Sequence, residues 1–419
     1  MTNPSEPSAL SERPTRAPAG SDPLVVRAER RLMRTYGPPK ATFLRGKGTV
    51  LFDEEGNGWL DFLCGLGVTS LGHAHPAVSE AVARQASTLV HTSNLFLTAP
   101  AVEAAERLAK ITGFDDARVF FSQCGATANE AAIKLARKHG KAQHPDKIRV
   151  VALEGSFHGR TLATLEATGQ PAKHAPFAPL AGFVDHIPHD SADAMTAAVR
   201  DDTCAVLLEI VQGEGGIRPL DVEVLEAARE ACDRAGALLI VDEVQTGVGR
   251  TGPWFAFQGS GIAPDVITVA KALANGLPIG ACVARGPAAD VFGPGDHATT
   301  FGGNPVSCAA AVAVIDTIEG ERILASARIR GRQLRDGVAA LASSAGPVHA
   351  VRGTGLLLGV QLDRPVAAEI EAGCRERRLL VNAVAPDVLR IAPPLTVSGE
   401  EVDHALEVLG EAAADVGER

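Results

Sequence analysis

Short runs rich in Val, Ile and Leu punctuate the middle of this chain: Arg118–Phe121, Ile148–Leu153, Ala205–Val211, Leu238–Val241, Val266–Val269 and Ile279–Ala284. Helical patterns such as Ala128–His139 and Val222–Ala235 separate several of them. Runs that stay apolar without alternation suit strands buried on both faces. Strands alternating with helices predict an α/β fold, a mostly parallel sheet with helices on both faces. In such sheets ligands bind beyond the carboxyl ends of the strands. Asp242 and Lys271 both stand at such ends.

That pair suits one chemistry well. A lysine can hold an aldehyde cofactor as a Schiff base, and an aspartate can keep a ring nitrogen protonated, as proteins do with pyridoxal phosphate. The competing reading makes each a solvated loop residue just past a strand. Other candidates follow the same strand ends. Ser122-Gln-Cys-Gly125-Ala126 opens a helix and offers free N–H groups to a phosphate. Phe157 has a ring that can stack on another, and Arg160 has a planar fork that matches a carboxylate. Glu214 follows another strand, and Arg390 is a second carboxylate clamp. For each arginine a surface ion pair competes, and convergence at one sheet edge favours the functional reading. Gly247-Val-Gly249-Arg-Thr-Gly252 spells a dinucleotide fingerprint, but Glu243-Val-Gln-Thr intervenes after the strand and Pro253-Trp-Phe follows in place of a helix. A tight backbone turn is expected there.

Around this centre we expect a tail over residues 1–22, rich in Pro, Ser, Ala and Thr and without fixed structure. Glu6, Glu12 and Asp22 speak against a transit peptide. Short strands at Ala41–Leu44, Thr49–Asp53 and Trp59–Phe62, with a turn at Gly56-Asn-Gly58, make residues 23–72 the first part of a smaller α+β domain. Residues 73–310 form the large cofactor domain, with helices over Pro76–Val90 and Ala99–Lys110. Residues 311–419 complete the small domain, with a long helix over Ala311–Ala342, strands near Val348–Val351, Leu356–Leu362 and Leu389–Ile391, and helices from Ala367 and after Ser398.

Composition narrows the partners. A net charge of −10 without a long basic run argues against nucleic acid or anionic membrane. No apolar stretch reaches the roughly 18 residues of a membrane span. The seven cysteines are scattered and contain no C-x-x-C pair, which fits a reducing cytoplasm. His73-Ala-His75 lacks nearby Cys or acidic ligands, so no metal is expected and a packed turn is.

Longer strings carry more. Leu71–Pro76, His91–Phe96, Ala128–Arg137, Phe157–Ala163, Gln212–Ile217, Asp242–Gly247, Lys271-Ala-Leu273 and Thr300–Pro305 together resemble the class III pyridoxal-phosphate aminotransferases, within them the branch acting on acetylornithine and ornithine. The resemblance runs from about Arg34 to the last helix. It implies the aspartate-aminotransferase-like fold (fold type I) and pyridoxal 5'-phosphate as cofactor. Lys271 would hold the cofactor and Asp242 would pair with its ring nitrogen. Gln245 would meet the ring hydroxyl, and Phe157 and Val244 would sandwich the ring. Backbone at Gly125 and Ala126, with Thr300 of a second subunit, would hold the phosphate, so a homodimer is implied. Arg160 and Tyr36 would bind the distal carboxylate, with Thr299 also on the substrate side. Arg390 would bind the α-carboxylate of 2-oxoglutarate, masked by Glu214 while the ω-amine reacts. The implied reaction moves the terminal amine of an ornithine-like donor, N2-acetylornithine first, to 2-oxoglutarate, as in arginine biosynthesis.

The family's phosphate loop usually reads Asn-Ser-Gly-x-Glu-Ala-Asn-Glu. Here it reads Gln123-Cys-Gly-Ala-Thr127-Ala-Asn-Glu130. This departure leaves open a specialised paralogue acting on ornithine, 4-aminobutyrate, lysine or diaminobutyrate. A decarboxylating or isomerising relative, an impaired pyridoxal-phosphate-binding protein and a nicotinamide enzyme stay open as well.

Overall fold

In a computed structural model, which describes residues 23–343 and 346–417, seven strands form the central sheet. Their spatial order is Arg118–Ser122, Gly280–Ala284, Val266–Val269, Leu238–Asp242, Thr203–Leu208, Arg149–Leu153 and Val184–Ile187. Gly280–Ala284 runs antiparallel to both neighbours, and the remaining pairs are parallel. The expected α/β class is therefore observed, with one reversed strand. Every residue of the Thr203–Leu208, Leu238–Asp242 and Val266–Val269 strands is buried. The reason is visible along one strand. Leu239 and Val241 enter one apolar cluster with Ala228, Cys232 and Phe255, while Leu238 and Ile240 enter another with Ile133, Leu135 and Ala136. Alternate side chains point to opposite faces, so a sheet covered twice needs apolar residues at every position.

Two expectations need correction. The helix expected over Ala311–Ala342 is two helices, Pro305–Gly320 and Ile323–Ala342. The break falls at Glu321–Arg322, where Arg322 has a left-handed φ of 55° that an α-helix cannot hold. The first helix starts upstream because Pro305 occupies its first turn and Asn304 Oδ1 accepts the Val306 N–H at 3.0 Å. The edge strand Val184–Ile187 and the short strands Leu379–Leu380 and Asn382–Ala385 were not expected. Val-Asp-His-Ile is half polar, as suits an edge.

The strands Phe43–Lys47, Val50–Asp53 and Gly58–Asp61 pair antiparallel, and Gly58–Asp61 pairs parallel with Leu379–Leu380. The tail expected over residues 1–22 lies outside the described residues. No helix among those described is long and apolar enough to cross a membrane. All seven cysteines are free, and all but Cys124 are buried.

The Gly247–Gly252 string is a turn leading to Pro253, and only a short 3-10 helix, Ala256–Gly259, comes after it in place of the α-helix a dinucleotide fingerprint would open. Its Arg250 is 1% exposed. The guanidinium donates to the carbonyls of Leu356 and Pro393 and to Ser70 Oγ, pinning this loop to distant segments.

Glu243, next to Asp242, is fully buried and accepts the Phe257 N–H at 2.9 Å and the Thr246 hydroxyl. Burial pushes its carboxyl up to about 7 from an ordinary 4.5. The native state then keeps a proton that the unfolded chain releases, so this group's stability contribution falls as pH rises from about 4.5 to about 7. At about 1.36 kcal/mol per pH unit, the loss between pH 5 and 8 is about 3 kcal/mol. Glu243→Gln should remove that share of the pH dependence in melting curves. An unchanged pH dependence would contradict the assignment.

Candidate active site

Parallel strands that end at one edge deliver their following residues to one place. Asp242 closes its strand, Glu209 follows Leu208, Phe157 and His158 lie just past Leu153, and Lys271 lies two residues past Val269. The reversed strand enters from the same edge, bringing Pro278 and Ile279. These residues line a cavity of about 420 Å³, together with Gly125, Ala126, Arg160, Glu214, Val244 and Gln245.

Asp242 is held from three sides. His158 Nδ1 lies 2.8 Å from Oδ2, Asn129 Nδ2 donates to the same oxygen at 2.7 Å, and the Val244 N–H donates to Oδ1 at 3.0 Å. Thr268 Oγ1 donates to Asn129 Oδ1 at 2.6 Å, which orients the amide so that its nitrogen faces Asp242. A 3%-exposed carboxylate with its rotamer fixed this way is a preset negative charge on the cavity wall.

Lys271 has a φ of 42°, uncommon for a residue with a side chain. Burial, and then the nearby Arg390 charge, lower its amine below the ordinary lysine range, with Glu214, Asp242 and Glu209 pulling the other way. Both effects enlarge the neutral, nucleophilic fraction.

Arg390, 1% exposed, forms an ion pair with Glu214 and donates to Gln245 Oε1 at 3.3 Å and to Asn382 Oδ1 at 2.7 Å. Burial pushes the Glu214 carboxyl up, but the Arg390 charge and hydrogen bond, together with the Lys271 and Lys173 charges, outweigh it and hold the carboxyl below the usual range. Glu214 keeps a side-chain exposure of 30%, so it has room to leave the pair.

The helix Gly125–Gln143 points its N-terminus into the cavity. The first N–H groups of a helix have no intrahelical acceptor, so Gly125 and Ala126 offer donors to an anion. A Cβ at Gly125 would lie 2.7 Å from Val244 Cγ1, so only glycine lets the helix end approach so closely. Thr127 caps the helix: its Oγ1 accepts the N–H groups of Cys124 at 3.1 Å and Gln123 at 3.2 Å. The altered loop is thus a closed cap.

Arg160 is exposed at the cavity mouth, with its guanidinium 5.5 Å from the Phe157 ring centroid. Lys173 Nζ lies 6.0 Å from the same ring. Thr299 reaches the cavity through Gln123, whose amide donates to Thr299 Oγ1. Two expected residues are not brought in. Tyr36 is 91% exposed, and Thr300 lines a separate small pocket with His91 and Asn94. The structure adds His158, Asn129 and Glu209. His158 and Asn129 sat inside noted strings, but only the crossing of three strands with one helix aims them at Asp242. Glu209 carried no signal beyond being the one acidic residue inside the Ala205–Val211 run.

The chain's residues 33–413 match the family model described as aminotransferase class-III. An acetylornithine aminotransferase of Mycobacterium tuberculosis is 49% identical over 379 residues, covering 90% of this chain and 93% of that relative. One from Streptomyces coelicolor is 47% identical over 390 residues, covering 93% and 95%. Among solved structures, the ornithine aminotransferase of Toxoplasma gondii superposes with a TM-score of 0.89 at 31% identity, covering 94% of each chain. The N-acetylornithine aminotransferase of Stenotrophomonas maltophilia gives 0.81 at 34% identity, covering 94% of this chain and 100% of that one. By sequence and by fold, the chain belongs to the class III aminotransferase family.

Proposed function

We propose that this enzyme is a pyridoxal-phosphate-dependent ω-aminotransferase that moves the terminal amine of an ornithine-like donor, first of all N2-acetylornithine, to 2-oxoglutarate. The observation that carries this reading is the ion pair between buried Arg390 and Glu214, the latter lining the same cavity as Lys271 and Asp242. The acetylornithine aminotransferases at 47% to 49% identity support the choice of donor.

The residues present fit the cofactor. Helix N–H groups at Gly125 and Ala126 suit its phosphate, Asp242 its ring nitrogen and Gln245 its hydroxyl. Phe157 and Val244 suit the ring faces, and Lys271 suits the aldehyde. When bound, pyridoxal phosphate supplies an electrophilic carbonyl and an electron-withdrawing ring. The chain does the rest. Lys271 Nζ, as a free neutral amine, would take a proton from the donor carbon as general base and, as its conjugate acid, deliver it to the carbon that was the cofactor's aldehyde, not back to the donor. Asp242 keeps its charge beside the ring throughout. Arg160 holds the donor's distal carboxylate.

The reacting end of an ω-amine carries no carboxylate, so an unmasked Arg390 there would face it without a partner. Glu214 neutralises Arg390 in that half of the cycle. In the other half the α-carboxylate of 2-oxoglutarate displaces Glu214 and takes the guanidinium in bidentate fashion. One pocket thus serves two differently charged substrates.

A homodimer completes the reading. Leu95, Phe96, Leu97 and Phe301 are exposed by 60% or more. Asn94, in the same loop, donates to the Thr299 carbonyl beside the cavity. A second copy covering this apolar patch would bring its own Thr300 to the phosphate. The free thiols suit the cytoplasm.

The test is a single-turnover screen. The cofactor-loaded enzyme is mixed with acetylornithine, ornithine, 4-aminobutyrate, lysine and diaminobutyrate, and loss of the bound-aldehyde absorbance is followed. Acetylornithine should react fastest. Faster reaction with another donor would reassign the substrate, and no reaction with any would end the proposal. In the same assay Glu214→Ala should slow the ω-amine half-reaction by about 10- to 100-fold, the cost of leaving one buried charge unpaired. The glutamate half should change much less. Equal losses in both halves would refute the masking role.

A further inference from the structure

Glu209 is 5% exposed, lines the cavity and has no part in the mechanism above. Its Oε2 accepts the Phe157 N–H at 3.1 Å and its Oε1 accepts the Gly213 N–H at 3.2 Å. The two turns it joins carry the two carboxylate-handling devices. Phe157 leads to Arg160, and Gly213 precedes Glu214. A Cβ on Gly213 would lie 1.9 Å from Gln245 Oε1, so the backbone Glu209 holds is pressed against the amide that meets Arg390. A second observation concerns charge. His158 Nε2 is buried without a hydrogen-bond partner, while Nδ1 faces Asp242.

We infer that Glu209 is a positioning residue: its buried carboxyl clips the Phe157 turn to the Gly213–Glu214 turn and acts as the proton store of the Asp242–His158 pair. This rests on the ω-aminotransferase reading for its functional meaning. The charged groups that face Glu209 are His158, Asp242 and Lys271. Two carboxyls beside one imidazole cannot both ionise cheaply. Asp242 takes the Asn129 amide and the Val244 N–H and faces His158 Nδ1, all at 2.7 to 3.0 Å, whereas Glu209 has two longer contacts, at 3.1 and 3.2 Å. Burial pushes the Glu209 carboxyl up to about 7, with the Asp242 charge adding to the rise and His158 opposing it. Of the groups around Lys271, Glu209 is thus a carboxyl held above its ordinary range, and its ionisation changes the charge there without touching the Asp242 contacts.

The test uses full-length protein freed of cofactor, so it does not depend on activity. Difference infrared spectra across about pH 5 to 9 should show a buried carboxylic acid that ionises near 7. Glu209→Gln should abolish that signal, and His158→Gln should move it to higher pH. In the loaded enzyme Glu209→Gln should flatten the inflection near pH 7 in kcat/KM. Glu209→Asp, too short to clip both turns, should raise KM for donor and 2-oxoglutarate together by about tenfold, with a smaller effect on kcat. A wild-type protein without the titration, or a Glu209→Gln protein that retains it, overturns the inference. If Glu209→Gln does not fold, the wild-type and His158→Gln titrations decide. Failure of the donor screen alongside an intact titration would count against the proposed function and leave the proton store standing.

Discussion

Lys271→Ala should lower turnover by at least about 10⁴-fold and abolish covalent retention of the cofactor after borohydride reduction. Two losses add up. The attachment point is gone, and so is the only amine among the residues lining the cavity that can carry the proton at the donor carbon. The fold should survive, because alanine adopts the same backbone and leaves no charge behind. Circular dichroism and melting close to wild type would establish that. A variant that keeps more than a few per cent of turnover, or wild-type protein that retains no reducible cofactor, would sink the assignment.

Asp242→Asn should cost about 10³-fold in kcat, the usual scale for removing one preorganised electrostatic contact from a charge that develops during reaction. Asparagine keeps the shape and can accept from some of the donors now on Asp242. His158, Asn129 and the Val244 N–H stay in place, so the change is chiefly one of charge. Because the ring nitrogen serves both halves of the cycle, both half-reactions should slow alike. Glu214→Ala should instead split them. Measuring the two halves separately therefore distinguishes the ring partner from the substrate switch. A loss below tenfold for Asp242→Asn, or a loss confined to one half, would remove Asp242 from that role.

The apolar runs made the sheet legible because residues buried on both faces must be apolar at consecutive positions. The Val184–Ile187 edge escaped because an edge strand needs no such run. The break at Arg322 escaped because apolar spacing continues across it and only a backbone torsion interrupts it. Within the site, Asp242 and Lys271 stood out because each ends or follows an apolar run. Tyr36 was named on resemblance, and a single chain leaves it exposed.

The sequence by itself determined the α/β class, the carboxyl edge as the place where the candidate residues gather, and the family to which the strings belong. These follow from local pattern, since burial on two faces and motif order are written residue by residue. Tertiary structure alone decided which groups share a charge. His158 and Asn129 meet Asp242 across separations of 84 and 113 positions, and Glu209 feels the Asp242 charge across 33. Glu214 meets Arg390 across 176. Electrostatic coupling depends on distance through a dry interior, and no one-dimensional pattern encodes that distance until the strands are laid side by side.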